Sequence, residues 1–233
     1  MKRTIILIAT CCFALMAKGQ QEDYQKPDFA TIGKNIKDKN SPFYYPVQFK
    51  KYMEDDTTLT VEEYRYLYYG FSFQPEYDPY GKSAVLDKLR TALDKKDMTP
   101  PEIDQVITME KTVLKEFPFN LRNLNMLVNM YDKKNGKVNA EKAFKKLLGV
   151  ARAIMSTGTG LADSAAMYVI SVEHEYDMLG LLEYEFGGSQ HLVSYKGSQM
   201  DYLTVADNKY LTKGMYFNVD RLFASMEKMF KKD

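Results

Sequence analysis

Along the first two-thirds of the chain the apolar residues recur at helical spacing, and polar residues placed just ahead of them supply helix caps. Phe29, Ile32 and Ile36 follow Asp28, whose carboxylate suits the free amides of a first turn. Asn40-Ser41-Pro42 then interrupts the pattern. It resumes at Thr60-Val61-Glu62-Glu63. There the Thr60 hydroxyl can accept from the Glu63 amide while the Glu63 carboxylate reaches back, the reciprocal bonding of a capping box. Val61, Tyr64, Tyr68 and Phe71 fall on one helical face, Tyr66 and Tyr69 fall off it, and Gly70 stands near the helix end. Further helices are predicted over 83–95 and 101–117. Thr99-Pro100-Pro101 opens the second, since proline in a first turn forfeits no hydrogen bond.

Between Pro118 and Gly149 the spacing becomes more specific. Leu124, Leu127, Val128 and Tyr131 lie on one predicted helix, and Ala140, Phe144 and Leu147 on the next. These offsets resemble a tetratricopeptide helical hairpin, with Val128 at the usual glycine and Leu147 at the usual alanine. Such arrays need three or more repeats, so a single hairpin is expected and not a full array.

After the polar break Ser156-Thr157-Gly158-Thr159-Gly160 the period changes. AMYVISVE (166–173) reads as a strand, Tyr176 to Tyr184 as a short helix closed by Gly187-Gly188. HLVSY (191–195) and DYLTVA (201–206) flank a Gly197-Ser198 turn as a β-hairpin, and GMYFNV (214–219) makes another strand. Asp220 caps a last helix with Leu222, Phe223, Met226, Met229 and Phe230 as its buried stripe. The predicted class is α+β: a helical region over 20–157, then a small mainly antiparallel sheet with two helices over 158–233.

Residues 1–19 follow different rules. Lys2 and Arg3 precede an apolar run from Ile5 to Ala17, and Ala17-Lys18-Gly19 suits cleavage before Gln20, the layout of a secretory signal peptide. The run is short of the roughly 20 residues a permanent transmembrane helix needs, and no later stretch approaches it. Cys11-Cys12 raises the alternative of a lipid anchor. Thr10 stands where a smaller residue is usual, and the apolar run before Cys11 is very short, so plain export is favoured. Both cysteines lie inside this leader, which leaves the mature chain without a disulfide, thiolate nucleophile or thiolate metal ligand. Cleavage also takes Lys2, Arg3 and Lys18 from the 32 basic residues, leaving 29 against 31 acidic ones. That near-neutral balance, with no block of like charge, argues against nucleic acid as a partner.

Catalytic patterns are weak. The two histidines are His174 and His191. His174-Glu175 begins like a zinc-protease helix, but Met178 occupies the second ligand position. A site combining His174, His191 and a carboxylate such as Asp177 or Asp201 is the alternative hydrolase reading; more simply, His174 is a hydrogen-bonded or solvated residue at a strand end. No G-x-S-x-G is present, and Ser156–Gly160 lacks the Gly-Lys of a phosphate loop. Glu62-Glu63 belongs to a cap and Asp55-Asp56 to a turn, which makes glycoside hydrolysis, with its two opposed acids across a cleft, only a remote option. No catalytic residue, metal ligand or cofactor is predicted.

The segment YRYLYYGFSFQPEYDPYG (64–81) carries six tyrosines and two phenylalanines. Tyr64, Tyr68 and Phe71 are expected in the core, with Tyr77 and Tyr80 pinning the next loop through their hydroxyls. Tyr66 and Tyr69, off that stripe, are the candidates for a partner-binding surface. A glycan platform is disfavoured because tryptophan is absent. SPFYYP (41–46), LTVEEYRYLYYGF (59–71), YDPY (77–80) and VISVEHEYDML (169–179) occur together and in this order. With these segments the chain resembles an uncharacterised family of exported Bacteroidetes proteins, domain of unknown function 4919. The resemblance implies a Gram-negative envelope location and carries no activity. The expected function is therefore a non-catalytic module that binds an envelope protein or peptide.

Overall fold

The computed structural model describes residues 24–230, with side chains described through Met226. The leader with Cys11 and Cys12 lies outside the described residues, as do the side chains of Met229 and Phe230. Local capping chemistry sets the helix starts. α1 (Phe29–Asn35) begins where Asp28 Oδ1 accepts from the Ala30 and Thr31 amides, both at 3.0 Å. α2 (Tyr45–Met53) has Pro46 in its first turn, which permits a helix soon after the break at Pro42. α3 (Val61–Phe71) starts on the Thr60/Glu63 capping box. α4 (Leu86–Leu93) is short, and α5 (Pro100–Glu116) starts on a second box, Thr99/Glu102. α6 (Leu121–Lys133) and α7 (Lys137–Met155) pack against each other as a helix pair, joined through Asn135, which takes a left-handed φ of 56°.

The last third follows in α+β order. A 3-10 turn at 163–165 leads to β1 (Met167–Tyr168), α8 (Val172–Leu181), β2 (Phe186–Tyr195), β3 (Ser198–Val205), β4 (Gly214–Asn218) and α9 (Asp220–Phe230). The sheet order is β1-β4-β3-β2, antiparallel except for β1 beside β4. Two expectations are corrected here. The strand predicted over 166–173 stops after Tyr168, because Ser171 caps the Glu173 amide and starts α8 at once. Gly187-Gly188 does not close a helix. Glu183 does so at φ 63°, and the glycines lie in β2, where the pairing register shifts between Phe186 and Gln190.

One aromatic-rich core joins both regions: Tyr52, Tyr64, Leu67, Tyr68, Tyr69 and Phe119 pack with Val150 and Ile154, and with Ile170, Leu203, Met215 and Phe217 from the last third. α3 is its axis. A side chain on Gly149 would sit 2.2 Å from the Tyr64 ring, so glycine there lets α7 approach α3. A second core joins α4, α5 and α6 through Leu89, Ile103, Val106, Val113, Leu127 and Val128. Val61 and Phe223, expected on buried stripes, are instead exposed, while Leu222 is buried. No helix among the described residues is long and apolar enough to cross a membrane.

Candidate functional site

The tyrosines off the α3 stripe do not form a surface. Tyr69 is 0% exposed. Its hydroxyl donates to the Tyr168 carbonyl at 3.1 Å, and Phe29 meets its ring edge-on at 5.9 Å. Tyr66 is half-buried; its ring stacks on Phe43 at 3.7 Å, and its hydroxyl accepts from Asn35 Nδ2 at 2.9 Å. Tyr69 is thus corrected from surface to core, and Tyr66 is a bracket between α1 and α3. The one-stripe expectation fails because α1, α2 and α7 all pack on α3.

The two histidines are not brought together. His174 is buried, with its Nδ1 2.7 Å from the Tyr68 hydroxyl, which also accepts the Ile170 amide at 3.1 Å. Burial lowers its pKa to about 3, against an opposing hydrogen bond with the Phe119 backbone, so the ring is neutral. His191 is exposed on β2 opposite Tyr202. Its neighbour Gln190 points to the other face, where it reaches Glu175 of α8, so pleat alternation puts His191 on the face away from α8. Asp177 is bound by Arg122 at 3.0 Å. Burial outweighs that cation and raises its pKa to about 6. The constellation expected of a hydrolase is therefore dispersed over separate environments.

What the fold does assemble is a cleft of about 320 Å³ between the 77–93 segment, α5, α6 and the start of α8. Phe71, Tyr77, Leu86, Leu93, Phe117 and Met126 supply apolar wall. Tyr77 is fixed there by donating to the Ile170 carbonyl at 2.8 Å. Lys82 and Arg90 stand exposed at the lining. Three carboxyl groups line it, Asp78, Glu110 and Glu173, of which Glu110 alone is buried. Glu110 is 0% exposed; its Oε2 accepts from Asn123 Nδ2 at 2.6 Å, and its Oε1 has no hydrogen-bond partner. Burial raises its pKa to about 7, with the Asn123 hydrogen bond opposing the shift. The periodicity carried a usable signal for this residue: Ile103, Val106, Ile107, Glu110 and Val113 form the buried stripe of α5, with a carboxylate at one apolar position.

A carboxyl pair lies beyond Tyr80, which lines the cleft and whose pKa is raised by its own burial and by the charges of Asp201 and Glu175. Gln190 Nε2 donates to Asp201 Oδ2 at 2.7 Å and to Glu175 Oε2 at 3.4 Å. Glu175 is 0% exposed, and burial together with the Asp201 carboxylate pushes its pKa up to about 9. Glu175 therefore holds the proton that the pair shares.

Fold and site together define an α+β protein with an apolar-walled cleft that encloses a half-satisfied carboxylate. The chain matches the family described as Domain of unknown function (DUF4919) over residues 30–228, and it belongs to that family. No curated protein matches it. No solved structure matches it either.

Proposed function

We propose that this is an exported envelope protein that binds, without chemical conversion, a peptide or a segment of a protein partner in the cleft. The observation that carries the reading is the cleft itself: about 320 Å³ of space with apolar walls and one carboxyl oxygen left unpartnered. Pockets of this size with few, placed polar groups are what ligand sites look like. The leader-like residues 1–19 support export, and α6 supplies one wall of the cleft through Arg122, Asn123 and Met126. The contact surface thereby moves from Tyr66 and Tyr69 to the residues around Glu110.

A photo-crosslinking residue at Leu93, on the cleft lining, tests this in the source bacterium against the same group at exposed Leu161. A discrete adduct from position 93 and none from 161 is expected, in a periplasmic fraction whose chain begins near Gln20. Equal labelling from both positions, or a chain retaining its leader in the cytoplasm, overturns the reading.

A further inference from the structure

We infer, building on the reading of the cleft as the binding site, that its occupant is the N-terminal residue of a peptide: a large apolar side chain along the walls, with its α-ammonium on Glu110 Oε1. Three observations converge. First, Glu110 is completely buried and yet makes only the one hydrogen bond, to Asn123, so a donor is missing at Oε1. A buried carboxylate oxygen without a donor is costly, and an incoming ammonium both supplies the hydrogen bond and balances the charge. Second, among the described residues no cation pairs with Glu110, although Lys82 and Arg90 stand exposed elsewhere on the lining. The side-chain group that lowers the Glu110 pKa is the neutral amide of Asn123, while the nearby Arg122 is engaged with Asp177. Third, the space matches a terminal residue and not a folded surface. About 320 Å³ leaves room for one large side chain with its amine and not for a folded surface.

The walls discriminate further. Leu86, Leu93 and Met126 are half-buried and favour an apolar side chain over a polar one. An anionic group directed at Oε1 is repelled. A neutral, blocked terminus offers no positive charge to the carboxylate.

The test is calorimetric titration of the mature chain, residues 20–233, with short peptides beginning in Leu, Phe, Met or Tyr, each with a free or an acetylated amino terminus. Free termini should bind about ten- to a hundredfold more tightly than their acetylated counterparts, the range expected for a charge-assisted hydrogen bond. In Glu110→Gln, which keeps an acceptor for Asn123, that difference should vanish. Because the acetylation comparison is made on the unmodified chain, it does not depend on whether the variant folds. Equal binding of free and acetylated peptides overturns this inference and leaves the cleft reading standing. Binding of neither set, combined with no position-specific crosslink at Leu93, overturns both.

Discussion

The aromatic core around α3 and the cleft beside α5 are built from similar apolar residues, yet they treat their polar atoms in opposite ways. In the core, tyrosine hydroxyls are closed off: Tyr52 donates to the Pro118 carbonyl at 2.6 Å, Tyr69 to Tyr168, and Tyr68 joins His174 to Ile170. Tyr45 departs from this, with a buried hydroxyl left unpartnered, as does Gln48 of the same helix at its Oε1. Outside that core, buried acids on α5 and α8 are left half-satisfied. Glu110 Oε1, Glu175 Oε1 and Asp177 Oδ2 all lack a partner. A hydroxyl on a long aromatic arm reaches a carbonyl and fixes a packing, whereas a buried carboxyl with a bare oxygen stores an unmet requirement. The first region fixes a single packing, and the second leaves polar atoms unmet, which is what the proposed binding would use.

That contrast can be broken most decisively at Tyr69. Tyr69→Ala should lower stability by about 3–5 kcal/mol in chemical denaturation, the range for emptying a buried aromatic site. A loss below about 1 kcal/mol would return Tyr69 to the surface and dissolve the distinction. At the other region, Glu175→Gln should gain on the parent as pH rises. The folded pKa of Glu175 lies near 9, far above its ordinary 4.5, so the folded state binds the extra proton between those values and the parent loses stability across that window. The variant lacks this loss and should be ahead by roughly 2–4 kcal/mol at pH 9, with little difference at pH 4. Parallel stability–pH curves for parent and variant would show that Glu175 is not held protonated.

Tyr68→Phe keeps the ring and deletes one hydroxyl, leaving the Ile170 amide and His174 Nδ1 without their shared partner. A cost of about 1–3 kcal/mol is expected by the same denaturation measurement, and no cost would mean that water replaces the hydroxyl. Arg122→Gln should have the smallest effect, under about 1 kcal/mol, since the Arg122 side chain is 61% exposed. Its sharper readout is the Asp177 titration by NMR, which should move upward from about 6 when the cation is removed.

Legibility in the sequence followed the range of the forces involved. Asp28, Thr60 with Glu63, and Thr99-Pro100-Pro101 announced helix starts because a cap or a first-turn proline acts over about three residues. The helix pair α6–α7 and the β2–β3 pairing were visible for the same reason. Tyr69 was not, because its burial depends on α1 and α7 reaching the far side of α3, a fact of tertiary packing. Residues 169–173 misled by composition: their β-branched residues suit a strand, but Val169 and Ile170 are buried together as the chain leaves the sheet, and Ser171 starts a helix. The cleft was invisible as a cavity. Its key residue was still marked, since Glu110 interrupts an apolar stripe.

One further feature bears on how the molecule behaves at high concentration. β2 is the last strand of the sheet, ten residues long and largely exposed, with no strand beyond it among the described residues. Such an edge is a template on which copies of a chain can stack into fibrils. Here the template is defective at one end. Gly188, at φ 94°, and the register shift between Phe186 and Gln190 leave only the 190–195 stretch in regular pairing with β3. An incoming strand that matched one half of β2 would fall out of step with the other, so the irregularity protects the protein from adding copies of itself edge to edge.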